Sequence, residues 1–270
     1  MASLRRLDAE LVRRKLARSR TEAQALIAEG SVIVDGVASL KAARQVAEGI
    51  SIVVKETSDS KWVSRGAHKL LGALAAFEPQ GLSLEGSHVL DAGASTGGFT
   101  QVALSKGAQS VLAVDVGYGQ LAWELRQDER VICLERFNIR NLTLSDLPNA
   151  IDVVVADLSF ISLRTVLPAL IGVLQQGASL ALMVKPQFEV GREAIGDGVV
   201  RDPALRASAV QSVIEVAQQL GAGLRGVAAS PLPGPEGNVE YFVWLEVGAA
   251  QVDSEQVASA VSSAVEGGPQ

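Results

Sequence analysis

Residues 88–100 decide the fold, with the sequence His-Val-Leu-Asp-Ala-Gly-Ala-Ser-Thr-Gly-Gly-Phe-Thr. The apolar residues at its start are typical of a buried strand, the three glycines predict a tight turn, and the last residues begin a helix. A strand, a glycine loop and a helix N-terminus in this order present backbone N–H groups to a ligand. The stretch therefore predicts a site for a polar or anionic group at the end of a strand.

The spacing of the glycines indicates which ligand the loop suits. Residues 93–98 have the pattern G-x-x-x-G-G, which is neither the G-x-G-x-x-G of dinucleotide-binding folds nor the lysine-containing pattern of a P-loop. The loop resembles that of S-adenosylmethionine-dependent methyltransferases, which surrounds the methionine end of the cofactor. A second apolar run ends in Asp115, where a carboxylate can accept both ribose hydroxyls of an adenosine. Two simpler interpretations stay open: a glycine turn that only closes a strand, and an Asp115 that only caps a helix.

The composition argues against several classes of protein. With 270 residues the chain can bury a large core and carry a small extra module, and 48% hydrophobic with 4% aromatic residues is typical of an aliphatic globular protein. The single cysteine, Cys133, and the two histidines argue against a disulfide framework, a metal site and a Ser-His-Asp triad. The sequence has no signal-peptide pattern and no run of about 18 apolar residues, so we expect a cytoplasmic protein without membrane contact.

Charge is distributed unevenly along the chain, whose formal net charge is −6. Residues 1–70 hold 13 Lys and Arg against 8 Asp and Glu, whereas residues 71–270 hold 11 against 22. A basic N-terminal part on an acidic body predicts that the N-terminal part contacts a polyanion.

The N-terminal part has the pattern of a small α+β module. Its apolar period predicts a helix over residues 7–16, and a capping box at Ser19 opens a second helix that runs to residue 29 and ends at Gly30. An Asp-Gly turn predicts a hairpin over residues 31–39, followed by a strand over residues 50–54.

Residues 25–36 of this module resemble the signature of the S4 RNA-binding domain, which implies binding to structured RNA. Basic residues gather around the first helix and the turn after it, and charge at this density favours contacts with phosphates. An ordinary solvated face is the alternative interpretation. The predicted RNA-binding residues are Arg5, Arg6, Arg13, Arg14, Lys15, Arg18 and Arg20.

From residue 88 onward, apolar strands alternate with helices, which is typical of a parallel sheet covered on both faces. Ligand and catalytic groups should then lie at the carboxyl ends of the strands, and the last strand, which no helix precedes, should be antiparallel. A long loop is predicted over residues 186–201 beside the site. The predicted strands are 88–91, 110–115, 131–134, 151–156, 179–184, 224–228 and 240–247, and the predicted helices are 70–77, 120–128, 163–174 and 203–220, with others beginning at Phe99 and Ser254.

These patterns predict the fold class α/β, and the two resemblances imply a Rossmann-like seven-stranded methyltransferase domain that follows a small α+β S4 domain. The predicted boundaries are 1–58 for the S4-like domain, 59–65 for a linker, 66–250 for the methyltransferase domain and 251–270 for a C-terminal helix and tail.

Four charged residues occupy positions that suit catalysis. Asp157 and Lys185 end predicted strands, and Glu240 begins the last one. Lys69 lies at the start of the helix that enters the domain. Two lysines and two carboxylates could meet beside a cofactor methyl group, where a general base removes the proton of an attacking ribose hydroxyl. For each residue alone, a surface ion pair is the simpler interpretation.

Six segments together resemble the TlyA, or hemolysin A, family, which joins an S4 domain to an FtsJ-like methyltransferase domain. The resemblance covers nearly the whole chain and implies methylation of cytidine ribose 2′-hydroxyls in ribosomal RNA, 16S and/or 23S. The long N-terminal arm and the C-terminal helix resemble the subtype that modifies both subunits. The segments are residues 64–70, 91–100, 115–123, 156–163, 184–189 and 230–242.

The resemblance also implies roles for individual residues. The catalytic set of the family falls on Lys69, Asp157, Lys185 and Glu240, with Lys185 as the base. The partner implied is ribosomal RNA within ribosomal subunits, and we expect a monomer without a metal ion. The residues predicted to bind S-adenosylmethionine are Asp91, Gly93, Ala94, Ser95, Thr96, Gly97, Gly98, Asp115 and Asn138, with Asp157 nearby.

Other functions stay open at this point. The chain could be a non-catalytic ribosome-binding or assembly factor that keeps the fold, or a membrane-active hemolysin, although its acidic body lacks a strongly basic amphipathic helix. A dinucleotide-dependent oxidoreductase is a more distant alternative, since its glycine spacing is absent.

Overall fold

A computed structural model describes residues 4–17, 19–28, 30–54, 61–191, 198–234 and 236–268. The chain divides into two compact units, residues 1–61 and residues 62–270, and each is described by itself. Residues 55–60, which include the first two residues of the predicted linker 59–65, lie outside the described residues.

The first unit combines a helix pair with short antiparallel strands. Strand β2 is central in a three-stranded sheet of order β3-β2-β5, and β1 pairs with β4. Asp35 and Gly36 join β2 to β3 with φ of 47° and 78°, the backbone that an Asp-Gly hairpin turn requires. The elements are β1 Leu4–Arg6, α1 Leu7–Arg13, α2 Arg20–Ala28, β2 Val32–Val34, β3 Val37–Ala38, β4 Gln45–Ala47 and β5 Ile52–Val54.

Helix α1 is shorter than the predicted helix 7–16. Lys15 adopts a left-handed backbone with φ of 58°, and the N–H of Leu16 donates to the carbonyl of Leu11. This is the six-to-one hydrogen bond of a Schellman motif, which ends a helix without a glycine. The apolar period continues to Leu16 because that residue still packs against the core of the unit.

The second unit contains a seven-stranded sheet of order β11-β12-β10-β9-β6-β7-β8. Strands β10, β9, β6, β7 and β8 are mutually parallel, and β12 is antiparallel to both β10 and β11, as predicted. The strands are β6 His88–Ala92, β7 Ser110–Val114, β8 Val131–Leu134, β9 Val153–Ala156, β10 Ser179–Val184, β11 Ala222–Ala229 and β12 Tyr241–Val247. The helices are α3 Gly66–Phe77, α4 Gly98–Ser105, α5 Trp123–Arg126, α6 Leu163–Gly172, α7 Pro186–Glu189, α8 Pro203–Gln219 and α9 Ser254–Glu266.

Both faces of this sheet are covered by helices. One face packs against α3, α4 and α5, and the other packs against α6, α8 and α9. Neighbouring residues of β6 point to opposite faces: Val89 packs in the core with α3 and α4, and Leu90 packs in the core with α6 and α8. The parallel strands are therefore apolar on both faces at most positions, and the helices on both faces confirm the predicted α/β class.

Two predicted elements of the second unit also differ from the structure. The helix predicted over residues 120–128 is reduced to α5, because the preceding chain turns at Gly119, where φ is 69°. The loop predicted over residues 186–201 begins with the single helical turn α7, which Pro186 opens. Residues 192–197 of that loop lie outside the described residues.

The order of the strands determines where a ligand can bind. The chain runs outward from β6 through β7 to β8 and then returns to the other side of β6 as β9. Open α/β sheets bind ligands at the carboxyl ends of the strands where the order reverses in this way. No helix within the described ranges is long and apolar enough to cross a membrane.

Candidate active site

The predicted catalytic residues meet at the carboxyl edge of the sheet. Asp157 directly follows β9, and Lys185 directly follows β10. Glu240 directly precedes β12, which runs antiparallel to β10, so it lies at the same edge. Lys69 reaches this edge from the first turn of α3. These four residues are called the charged tetrad below.

Ion pairs join the charged tetrad into a continuous chain. Lys69 Nζ lies 2.5 Å from Glu240 Oε2 and 3.9 Å from Asp157 Oδ2. Lys185 Nζ lies 2.6 Å from Asp157 Oδ1 and donates a 2.8 Å hydrogen bond to Ser159 Oγ. Lys69, Lys185 and Glu240 are 7%, 8% and 1% exposed, so each lysine depends on a carboxylate rather than on water to compensate its charge.

Two cavities adjoin the charged tetrad. The smaller cavity has a volume of about 410 Å³ and includes Asp115 and Asp157 in its wall. The larger cavity has a volume of about 600 Å³ and includes Lys185 and Glu240. Residues 159–161 line both cavities, so the tetrad lies where the two adjoin. Two ligands could therefore bind with their reacting atoms next to the same lysine.

The smaller cavity combines one carboxylate with apolar walls. Asp115 Oδ2 accepts a 2.8 Å hydrogen bond from the N–H of Ser95, and Oδ1 accepts one of 2.7 Å from the N–H of Gly117. Each oxygen keeps a further acceptor position. Asn138 also lines the cavity, and its Oδ1 accepts from the N–H of Arg140. The apolar wall is formed by Val114, Val116, Phe137 and Ile139.

Packing explains the three loop glycines. A Cβ on Gly97 would collide with Leu125, one on Gly98 would lie 2.9 Å from the backbone nitrogen of Ala67 in α3, and one on Gly93 would lie 2.8 Å from the carbonyl oxygen of Asp157. The steric interpretation of the glycine turn therefore applies at all three positions. Gly93 and Ser95 line the smaller cavity, whereas Ala94, Thr96, Gly97 and Gly98 do not.

Asp91 lies beneath the loop rather than in the wall of the smaller cavity. Its side chain is fully buried, and Oδ2 accepts a 2.6 Å hydrogen bond from the hydroxyl of Thr100. Oδ1 has no hydrogen-bond partner in the part of the chain that the structure describes. Burial raises the pKa of Asp91 to about 7, since the charged form loses its hydration. The contact ties β6 to α4 and supports the loop from below.

Glu189 connects two of the loops that form the larger cavity. Its Oε2 accepts a 2.5 Å hydrogen bond from Ser162 Oγ, and its Oε1 accepts one of 2.6 Å from the N–H of Leu163 at the start of α6. Arg164 donates from Nε to Oε2 and from a terminal nitrogen to the Glu189 carbonyl. Burial raises the pKa of this carboxyl. These contacts hold the segment after β9 against the segment after β10.

Comparison with known proteins follows the same two units. Residues 62–247 match the FtsJ-like methyltransferase family, and residues 5–49 match the S4 domain. A Mycobacterium tuberculosis protein named 16S/23S rRNA (cytidine-2′-O)-methyltransferase TlyA is 53% identical over 271 residues, which cover all of both chains. The chain belongs to the TlyA family of FtsJ-like methyltransferases. The resemblance found in the sequence is thereby confirmed.

Further TlyA-family relatives carry a different name. A Brachyspira hyodysenteriae protein named Hemolysin A is 36% identical, and the matched region covers 88% of this chain and 98% of that one. A solved structure of a hemolysin-named protein from Streptococcus thermophilus is 36% identical and superposes with a TM-score of 0.76, covering 98% of this chain and 97% of that chain.

In the S4 domain of this TlyA-family chain, two buried carboxylates organise the predicted RNA-binding arginines. Asp8 is fully buried and accepts hydrogen bonds from Arg6 and Arg20, and the Arg6 guanidinium holds the pKa of Asp8 far below its usual range. Arg6 and Arg20 stay 44% and 58% exposed in their side chains. Both can therefore still reach an anion from solvent.

The second buried carboxylate, Glu10, accepts hydrogen bonds from Arg13 and Arg14, which lower its pKa to about 2. Arg14 also donates to the carbonyls of Glu48 and Ile50 and is only 22% exposed, so its donors hold the module together. Arg5, also predicted to bind RNA, lies 3.7 Å from Glu10 and is 40% exposed. Lys15 is exposed, and Arg18 lies outside the described residues.

Several residues of the TlyA-family site have no role in the sequence prediction. Ser159 contacts Lys185, Glu189 connects two loops, and Gln187 lines the larger cavity. Phe160 lines both cavities, is 91% exposed, and has a left-handed backbone with φ of 64°. The available signal in the sequence is an aromatic residue shortly after an apolar strand, at the edge of the sheet where ligands bind.

Proposed function

We propose that this chain transfers the methyl group of S-adenosylmethionine to the ribose 2′-hydroxyl of a cytidine in ribosomal RNA. The observation that carries the proposal is the charged tetrad, which joins two lysines and two carboxylates where two cavities adjoin. The smaller cavity is assigned to the cofactor and the larger cavity to the acceptor nucleotide. The names of the TlyA relatives support the same reaction and substrate.

The residues of the smaller cavity suit S-adenosylmethionine. The carboxylate of Asp115 has acceptor positions for the ribose hydroxyls, and the apolar wall suits the flat face of an adenine. Gly93 lies in the cavity wall next to the backbone of Asp157, since a Cβ there would be 2.8 Å from the Asp157 carbonyl oxygen, and we place the methionine end at this position. When bound there, S-adenosylmethionine supplies an electrophilic methyl carbon.

Lys185 is proposed as the general base. A ribose hydroxyl is a weak nucleophile, so its proton must leave as the oxygen attacks. The Lys185 amine accepts that proton, and the carboxylate of Asp157 at 2.6 Å stabilises the ammonium ion that forms. Ser159 fixes the direction of the amine by accepting one of its hydrogens.

Lys69 and Glu240 are proposed to hold Asp157 and the adjacent charge in place. The Lys69–Glu240 pair keeps a positive charge 3.9 Å from Asp157, so that carboxylate interacts with both lysines.

The S4 domain is proposed to bind folded ribosomal RNA within a ribosomal subunit. The partly exposed side chains of Arg6, Arg13 and Arg20 suit phosphates, and so does the 40% exposed side chain of Arg5, although its Nη1 is buried. Neutralising phosphates makes the affinity depend on salt. A target nucleotide in a paired region would have to leave its helix to reach the larger cavity. With a ribosomal substrate we propose a cytoplasmic enzyme that acts as a monomer.

The alternatives from the sequence are not favoured. A relic fold that only binds ribosomes has no need of two buried lysines balanced by carboxylates beside two cavities. A membrane-active role is not supported by any feature of the described residues, and leakage of liposomes at physiological salt would be the observation in its favour.

Methyl transfer to separate substrates tests the proposal. Labelled S-adenosylmethionine is incubated with unmodified small subunits, large subunits and free ribosomal RNA. We expect label in at least one subunit. If neither subunit accepts label while the protein binds S-adenosylmethionine, the proposal that ribosomal subunits are the substrate is wrong.

A further inference from the structure

Gln187 places an unsatisfied polar atom at the larger cavity. The residue lies in α7, two positions after Lys185, and lines the cavity. Its Oε1 is buried and has no hydrogen-bond partner among the described residues. A buried acceptor without a donor destabilises the folded protein, so such atoms in a binding cavity often mark the place of a ligand donor.

The surrounding residues are suited to a nucleobase. Phe160 and Phe188 line the same cavity with ring centroids 5.4 Å apart and planes inclined by 49°, and they provide flat apolar surfaces. Lys185 and Glu240 lie in its wall. In a nucleotide the base is attached to the carbon next to C2′, so a ribose with its 2′-hydroxyl at Lys185 must place its base in this cavity.

The chemistry of the amide matches one base edge. Cytosine presents its exocyclic amine as a donor and N3 as an acceptor, whereas uracil presents a carbonyl oxygen where cytosine has the amine. A glutamine that accepts with Oε1 can receive the cytosine amine and donate from Nε2 to N3. With the amide in this orientation, uracil places its O4 carbonyl oxygen against Gln187 Oε1 and leaves that acceptor without a donor.

A second buried oxygen of the site is less suited to this role. Glu240 Oε1 also lacks a hydrogen-bond partner within the described residues. It faces the backbone at Gly234, where a Cβ would lie only 2.7 Å away, and Oε2 of the same carboxylate is held by Lys69. A base edge would have little room at that oxygen.

We propose that Gln187 recognises the Watson–Crick edge of the acceptor cytosine and sets the preference for cytidine over uridine. This inference rests on the proposed function, because it requires the larger cavity to hold the acceptor nucleotide. Gln187 is a specificity residue here and takes no part in the proton transfer.

The test compares cytidine and uridine at one mapped position. Ribosomal subunits carry either nucleotide at the site that the wild type methylates, and kcat/KM is measured for each. Gln187→Leu removes the acceptor at similar size. Gln187→Glu keeps an acceptor for the exocyclic amine. Gln109→Leu is the matched control, because Gln109 is exposed in the segment before β7, at the opposite edge of the sheet.

We expect the wild type and Gln109→Leu to prefer cytidine by about 10-fold or more, as is usual for one specific base contact. Gln187→Leu should reduce this ratio to near one, mainly by losing activity on cytidine, while its affinity for S-adenosylmethionine stays unchanged. Gln187→Glu should keep a preference for cytidine.

Two different failures can be told apart. A wild type that methylates no ribosomal cytidine contradicts the proposed function itself. A wild type that methylates cytidine, together with a Gln187→Leu variant that keeps the wild-type ratio, overturns only the role of Gln187. If the leucine variant does not fold, loss of the cytidine preference in Gln187→Glu would overturn that role equally.

Discussion

Lys185 is held by two neighbours of different chemistry, the carboxylate of Asp157 and the hydroxyl of Ser159. The carboxylate stabilises a positive amine, whereas the hydroxyl fixes its direction. The same lysine lies in the wall of the larger cavity, so it is the tetrad amine that an acceptor nucleotide meets. The proposed transfer of the hydroxyl proton therefore depends on the Lys185 side chain.

Replacing Lys185 with methionine removes the amine and keeps most of the side-chain volume. We expect kcat to fall by about 10²- to 10⁴-fold, the usual contribution of a general base, while the dissociation constant for S-adenosylmethionine changes little. Single-turnover transfer and calorimetric titration measure the two quantities. Lys106→Met is the control, since Lys106 pairs with Glu78 away from the site. A Lys185→Met variant as fast as this control would exclude the assigned role.

The residues of the site differ in how far the sequence predicts them. Asp157 and Lys185 are predictable because parallel strands end at one edge of a sheet. Lys69 and Glu240 come from the entering helix and an antiparallel strand, so the strand pattern determines their positions less closely, and the family resemblance adds support for their role. Gln187 lies in α7, a single helical turn within the predicted loop 186–201. The position of this turn depends on contacts between distant segments, which the sequence does not specify.

Helix α4 and strand β6 are joined beneath the glycine loop 93–98 by the buried hydrogen bond between Asp91 and Thr100. Since burial raises the pKa of Asp91 to about 7 from its ordinary value of 3.8, the folded state keeps a proton that the unfolded state has lost between these pH values. The folded state therefore binds more protons, and this group lowers the stability as the pH rises from about 4 to about 7.

Asp91→Asn tests this coupling. An asparagine has the shape of the protonated carboxyl, can accept from Thr100, and has no charge to desolvate. The thermal unfolding midpoint of the variant relative to wild type should therefore be higher at pH 8 than at pH 5. Scanning calorimetry at the two pH values measures the difference. An equal difference at both would show that Asp91 is not protonated in the fold.

The segments after β9 and β10 are held together by Glu189. Glu189→Ala leaves the N–H of Leu163 and the hydroxyl of Ser162 without their acceptor, so the free energy of unfolding should fall by about 1–3 kcal/mol. Glu189→Gln keeps one acceptor oxygen, so its free energy of unfolding should fall less.

Because both segments line the larger cavity, we also expect a higher KM for RNA in the alanine variant, with partial recovery in Glu189→Gln. Urea unfolding and steady-state kinetics measure these effects, and equal values for the two variants would contradict the account.

Secondary structure is predictable in this chain where one pattern dominates. Strand β10 matches the predicted 179–184, because an uninterrupted apolar run leaves no alternative. Helix α5 is much shorter than predicted. The residues before it form a turn, in which the N–H of Gly117 donates to Asp115 and Gly119 has a positive φ. Strands β1 and β4 are only three residues long and pair with each other across about 40 residues, so neither has a local signal.

Across the whole molecule the charge is divided between a basic N-terminal part and an acidic remainder. Much of the positive charge in the S4 domain is balanced by the buried Asp8 and Glu10. Lys15 is exposed and forms no ion pair within the described residues, so its charge is available to a phosphate.

Lys15→Gln should weaken RNA binding at low salt without changing the unfolding midpoint. The slope of log affinity against log salt should decrease in magnitude by about one, the change expected for one lost phosphate contact. Filter binding at several salt concentrations measures the slope, with Lys106→Gln as the control. An unchanged slope would place the phosphates elsewhere on the molecule.

In the proposed reaction the charged tetrad directs a methyl group to a ribose oxygen of cytidine. The most direct measurement is mass spectrometry of nucleosides from ribosomal RNA methylated by the wild-type enzyme. We predict that the added methyl group is found in 2′-O-methylcytidine, at one defined position in each modified RNA. A methyl group on a base, or on the ribose of another nucleoside, would contradict the account.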